Sequence, residues 1–491
     1  MVIRMCQSCF QPDPISGKRH FCHCGSPTTL AILRRIEADL SRRQMMGGMA
    51  AVVGMFAGFG LAPRDVQAQT PARPMLLTNL RLFDGDQLSL RTGLDILIDG
   101  GRIAALSVPG QDLQDAQVID CGGRVVIPGL IDTHWHATLA SVSQIVAMTQ
   151  DIGFLHLMAG QEAGATLMRG FTTVRDVGGP AFGLKAAIDR GVVAGPRIFP
   201  AGAIISQTSG HGDFRFQNSL PMMPGDPADY ASQQGMSALA DGVPEVLRRT
   251  REQLMRGASQ IKITAGGGVA SQYDPLESLQ FTEAEMRAAV DAASDWGTYV
   301  CAHVYTSPGI RRCIAAGVKS IEHGQLADED TVRLMADSDT WWSIQPFLAD
   351  EDANQYTDPK AIAAQQQVAE GTARAFEWAD KHRVNWAFGS DILYGGGDSQ
   401  GRQLAKLARF MSPLSALHRA TGAAGRLLAL SGARAPYDGR LGVIAQGALA
   451  DLLVIDGDPE QSLDWLGDTG TLRLIMKGGR IHKNDLSGDA I

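Results

Sequence analysis

Beyond Ala68 this 491-residue chain carries only three cysteines, Cys121, Cys301 and Cys313. They are too few and too scattered for a disulfide framework, so the fold must be held by its core. A basic excess is also missing: the formal net charge is -8 and the lysines and arginines are dispersed, which excludes the electrostatic footprint of a nucleic-acid binder. Long apolar runs are absent as well. The uncharged stretch from Gly47 to Ala62 is shorter than the ~20 residues a bilayer span requires, and its glycines weaken its hydrophobicity. What the chain does have in quantity is glycine, 56 residues, much of it in short turns between apolar runs. That pattern favours a repetitive α/β architecture.

The first 68 residues read as an address. Ser41-Arg42-Arg43-Gln44-Met45-Met46 precedes the Gly- and Ala-rich run, and Val66-Gln67-Ala68 offers small residues for cleavage. This resembles a twin-arginine signal, with export to the periplasm and no stable membrane insertion after processing. Further upstream, Cys6, Cys9, Cys22 and Cys24 lie among His20 and His23. They form a weak zinc-like pattern, since Cys-x-Cys departs from the usual spacing.

Residues 69–126 and 436–491 both read as short strands with tight turns, and Gly100-Gly-Arg-Ile103 is nearly repeated as Gly478-Gly-Arg-Ile481. Two antiparallel half-sheets from the ends of the mature chain are expected to pair into one small β-sandwich. Between them, in 127–435, eight apolar strand-like runs alternate with helical stretches. The runs are 126–136, 172–176, 197–201, 261–264, 299–303, 320–323, 342–345 and 385–391. Eight βα units predict an α/β fold of the (β/α)8 TIM-barrel type, with its active site at the C-terminal ends of the strands.

The apolar run from Val126 ends in His134-Trp-His136. Residues two apart on a strand face the same way, so two imidazoles can aim at one point and form half of a metal site. Alone, the pair is equally well a strand end that happens to hold histidine. The later strand ends add Lys262, His303, His323 and Asp391, and a barrel gathers such ends into a ring.

With those motifs in hand, the chain after residue 75 resembles the metal-dependent amidohydrolase superfamily. The residues that carry the resemblance are Pro128-Gly-Leu-Ile-Asp-Thr-His-Trp-His136, Thr172-Thr-Val-Arg-Asp176, Ile261-Lys-Ile-Thr264, Ala302-His-Val304, Ile321-Glu-His-Gly324, Gly389-Ser-Asp391 and Gly447-Ala-Leu-Ala-Asp451. The resemblance implies two divalent metal ions, with zinc expected though manganese and cobalt accept the same ligands. His134, His136 and Asp391 would hold one ion, His303 and His323 the other, and Lys262 would bridge them as a carbamate made from carbon dioxide. The bland alternative is an ordinary lysine whose ammonium pairs with Asp391. Two such ions would supply hydroxide at neutral pH, as one zinc brings the pKa of its water to ~7. Asp391 would move the proton to the leaving amine. Homo-oligomers are expected by the same analogy.

The loops Ser206 to Asp213 and Gly266 to Pro275 are similar to the branch holding Xaa-Pro and Xaa-Arg dipeptidases and ochratoxinases. Within that branch His211 and Tyr273 are candidate catalytic or carboxylate-binding groups; bracing a loop is the bland role for His211, and packing for Tyr273. The segment 213–246, with Met222, Met223, Tyr230 and Met236, reads as a lid or pocket wall, and equally as a buried loop or a subunit contact. The expected reaction is hydrolysis of the amide of a dipeptide or N-acyl amino acid. A lactonase or phosphotriesterase acting through the same site is the alternative.

Overall fold

A computed structural model describes residues 73–107, 115–220, 227–269 and 273–486. The twin-arginine pattern, Cys6, Cys9, Cys22, Cys24, Met222 and Met223 lie outside these residues. Among the described residues no helix is long and apolar enough to cross a membrane.

The strands in chain order begin with β1 (Met75–Thr78), β2 (Arg81–Leu82), β3 (Asp95–Asp99), β4 (Arg102–Ser107), β5 (Gln117–Asp120) and β6 (Val125–Pro128). The central series is β7 (Leu130–Trp135), β8 (Phe171–Asp176), β9 (Arg197–Pro200), β10 (Ile204–Ser206), β11 (Ser237–Leu239), β12 (Ile261–Thr264), β13 (Val300–Thr306), β14 (Ser320–Leu326), β15 (Trp341–Ile344) and β16 (Trp386–Phe388). The chain closes with β17 (Leu452–Ile455), β18 (Leu472–Lys477) and β19 (Arg480–Asn484).

The apolar run 126–136 is therefore two strands, not one. β6 pairs with β17, while β7 pairs with β8 in a different sheet, and Gly129 makes the transfer. A Cβ on Gly129 would stand 2.1 Å from Thr172 Oγ1, so only glycine lets the chain cross there. The terminal segment thus extends to Pro128, beyond the expected boundary at Val126.

The terminal strands form two sheets, ordered β4-β3-β1-β5 and β19-β18-β17-β6-β2. Both are mixed rather than purely antiparallel, because β5 returns parallel to β1 and β6 parallel to β2. They share one apolar cluster, in which Leu77, Ile96 and Ile103 meet Val126, Leu452, Val454 and Leu474. The two Gly-Gly-Arg turns touch: a Cβ on Gly101 would lie 2.9 Å from the Gly478 carbonyl oxygen. All four glycines of these turns have positive φ, the conformation such tight hairpins need.

In the centre, all neighbouring strands run parallel. They form two hydrogen-bonded arcs, β7-β8-β9 and β11-β10-β12-β13-β14-β15-β16, and no ladder joins the arcs. β10 and β11 were not expected; the third strand breaks after Pro200, so its second half pairs separately. Helices cover the strands, as parallel crossovers require. The helix Glu283–Asp295 starts with the capping box Thr282/Glu285, and Ser307–Ala316 stops at Gly317, whose φ is 92°. β12 to β16 are buried along nearly their whole length, which explains why they read as continuous apolar runs.

Candidate functional site

Histidines, an aspartate and a lysine converge at the C-terminal ends of the parallel strands. His134 lies in β7 and His136 follows it; Lys262 is in β12, His303 in β13, His323 in β14, and Asp391 comes just after β16. Parallel register aligns Thr264 with His303 and Val304 with His323. Asp391 N–H donates to the His134 carbonyl at 2.8 Å, joining the two arcs at the site. His323 and Asp391 have φ of 78° and 52°, values that side-chain-bearing residues rarely adopt and that cluster at functional sites.

The hydrogen bonds fix which nitrogen each imidazole presents. His136 Nδ1 donates to the Gly178 carbonyl at 2.9 Å, and His134 Nδ1 to Glu322 Oε2 at 2.8 Å. Both Nε2 lone pairs then face Asp391 Oδ1, at 3.3 and 3.1 Å. His323 Nδ1 donates to Gln345 Oε1 at 2.9 Å, whose amide is oriented by its own bond to Ser343 O. His303 donates through Nε2 to Gly267 O at 3.1 Å and so offers Nδ1. The rings of His303 and His323 are 4.4 Å apart, and those of His134 and His323 4.8 Å.

Two imidazole lone pairs and a carboxylate oxygen thus meet with no hydrogen left to share between them. Such atoms repel unless a cation lies among them, which is the donor set of a divalent metal. His134, His136 and Asp391 have ligand atoms all within 4.8 Å of one another.

Lys262 is buried beside them and forms no ion pair among the described residues; the partners of Asp391 are the three histidines. Burial lowers its pKa, favouring the neutral amine.

Behind the imidazoles stands a second set of charges that motif reading left unused. Arg175 and Glu322, both fully buried, pair at 2.7 Å, and Glu322 also accepts from Ser320 Oγ. Burial pushes the Glu322 carboxyl up, while Arg175 and then His134 more than reverse it, so Glu322 stays an acceptor for His134. Asp132 accepts from the backbone N–H of His134 and Ser390, from Ser390 Oγ and from Gln400 Nε2. It ties the ends of β7 and β16 together. All three residues stood inside the motifs quoted above, yet only contacts reveal their roles.

The cluster forms the floor of a cavity of about 150 Å³. His211 lines it, stacked on His303 at 3.8 Å and bonded through Nδ1 to Asp274 at 3.1 Å. Tyr273 is not among the residues that line it; it lines a separate depression with Phe216, Gln217 and Asn218. Of the expected wall segment 213–246, Phe214 lines the cavity, whereas Tyr230 donates to the Gln150 carbonyl and Met236 packs in an apolar cluster with Leu139, Phe214 and Leu393. The wall comprises Leu139, Phe214, Phe347, Val368 and Leu393, with the phenols of Tyr305, Tyr356 and Tyr394. Burial raises the pKa of all three phenols, so each remains a neutral donor. Tyr305 belongs to β13 and Val368 to the helix Pro359–Lys381, while the others come from loops whose sequences carry no periodic or motif signal.

Ochratoxinase of Aspergillus niger is 32% identical over 328 residues, 65% of this chain and 66% of that protein, so the match spans just under two thirds of the relative. A crystal structure of an amidohydrolase superposes with a TM-score of 0.77 at 37% identity, covering 84% of this chain and all of that one. A prolidase complexed with N-methylphosphonate-L-proline gives 0.76 at 35% identity, again covering 84% and 100%. Residues 125–482 match the amidohydrolase family, and the chain belongs to that family.

Proposed function

We propose that this protein is a metal-dependent hydrolase that cleaves the amide bond of a dipeptide or N-acyl amino acid, releasing the C-terminal amino acid. The observation that carries the reading is the convergence of His134, His136 and Asp391 on one point, with His303, His323 and an unpaired, buried Lys262 beside it. In this reading the two arcs act as one (β/α)8 barrel, and the terminal sheets act as its β-sandwich. The prolidase and ochratoxinase likenesses support an amide over a lactone or phosphotriester.

The donor set fits two divalent ions, zinc being the expected one. His134, His136 and Asp391 would hold one, His303 Nδ1 and His323 Nε2 the other, and a Lys262 carbamate would reach both. The ions would lower the pKa of water and polarise the scissile carbonyl. The side chains do the rest. Glu322 and Gly178 lock the His134 and His136 tautomers, and Gln345 and Gly267 those of His323 and His303. Asp391 accepts the proton of the attacking water and delivers it to the leaving nitrogen. His211 and the three phenols supply donors for the substrate's carboxylate, and the apolar wall excludes water.

The test is metal-loaded protein assayed on N-acyl amino acids, dipeptides and lactones, with metal content measured in parallel. Amide hydrolysis that disappears with the metal is expected. Turnover of lactones with no amide cleaved would overturn the proposal.

A further inference from the structure

Lys406 stands in the cavity wall with its side chain only 6% exposed. Its Nζ is bonded to Asp350 Oδ1 at 2.7 Å and to Asp352 Oδ2 at 3.0 Å. Asp352 is also taken by Arg402 at 2.6 Å, and Asp350 by Arg409 at 3.5 Å. Among the described residues, Asp352 and Asp391 are the carboxylates that line the cavity. Asp391 faces the metal-site nitrogens of His134 and His136 and would be a ligand in the reading above, so neither of these carboxylates is left for a substrate amine.

This matters for the part of a substrate that lies on the acyl side of the scissile bond. The α-ammonium of a dipeptide would lose its hydration on entry and would find no unpaired anion to replace it, because Lys406 and Arg402 already hold Asp352. An acyl group lacking that amine would meet Leu139, Phe214, Phe347, Val368 and Leu393 at no such cost.

We propose that Lys406 is a specificity determinant that closes this cavity to a free α-amine, and that the substrate class is N-acyl amino acids with a bulky apolar acyl group. The inference rests on the amide reading above and chooses between its two substrate types. The reaction balances as water plus amide: the C–N bond breaks, a C–O bond forms to give the carboxylic acid, and the nitrogen of the released amino acid takes up the proton.

The test uses matched pairs that differ only at the amine: 3-phenylpropionyl-L-phenylalanine against L-phenylalanyl-L-phenylalanine, and the same pair with proline as the released residue. Release of the amino acid by the metal-loaded full chain should favour the acyl member at least about tenfold in kcat/KM. Equal or faster cleavage of the dipeptides would overturn the inference and leave the amide reading standing. Cleavage of neither, with lactones hydrolysed, would remove both. Lys406→Met leaves Asp350 and Asp352 without the shared ammonium and should move the ratio toward dipeptides. A folded Lys406→Met protein with an unchanged ratio would refute the assignment to Lys406. The wild-type pairs test the substrate class even if that variant does not fold.

Discussion

Replacing Glu322 with glutamine separates what the buried Arg175–Glu322 pair does for the fold from what it does for the site. The substitution keeps the volume and removes the charge. Arg175 then remains fully buried without its counter-ion, which costs about 3–5 kcal/mol. With unfolding entropy near 2.1 cal/mol/K per residue over roughly 400 residues, that corresponds to a fall in Tm of roughly 3–6 °C. A separate loss occurs at His134. If the glutamine oxygen turns to Arg175, its NH2 faces Nδ1, and the imidazole must move its hydrogen to Nε2, the atom that points at Asp391. Removing such a partner weakens metal binding or activity by about 10–100-fold. Thermal melts and metal titration against a buffered zinc series read the two effects independently. The double variant Arg175→Met/Glu322→Leu removes both charges, so stability should recover while metal affinity does not. Unchanged Tm and unchanged affinity in Glu322→Gln would refute the reasoning, and so would recovery of both in the double variant.

Lys262→Ala should lose activity and metal together, and Asp391→Ala should lose activity; an unchanged metal stoichiometry in the lysine variant would remove Lys262 from the site. Asp132→Ala strands four buried donors, each worth about 1–3 kcal/mol, and should lower Tm by several degrees along with activity, whereas Asp132→Asn should restore part of the stability. Wild-type stability in the alanine variant would contradict its role as the tie between β7 and β16. Burial raises the thiols of Cys121, Cys301 and Cys313 to about 12, so at pH 8 only about one in ten thousand is thiolate. Peptide mapping after alkylation should find these three unlabelled in native protein and labelled after denaturation.

The chemistry-bearing residues were legible because they are local. His134 and His136 sit two apart on a strand, and Lys262, His303 and His323 each lie within a short apolar run whose burial is written in its composition. The alternation of such runs with helices also announced the parallel α/β centre. The failures occur where non-local contact decides. Pro128-Gly129 in 126–136 is a break signal, but that the two halves join different sheets is set by β17, by β8 and by Thr172 beside Gly129. Loop direction likewise depends on what a loop packs against: the phenols lining the cavity are those of Tyr305, Tyr356 and Tyr394, while Tyr273 lines another depression.

By itself, then, the sequence determined the residue types at the strand ends, their positions there and the burial of the strands that carry them, because side-chain periodicity and apolar composition are properties of short segments. Tertiary structure alone decided which nitrogen of each histidine faces the site, which charges stand behind them, and that Asp352 in the cavity wall is already paired. Those features depend on partners as distant in the chain as His134 and Glu322, or Asp352 and Lys406, and a hydrogen bond is specified only when both of its ends are in place.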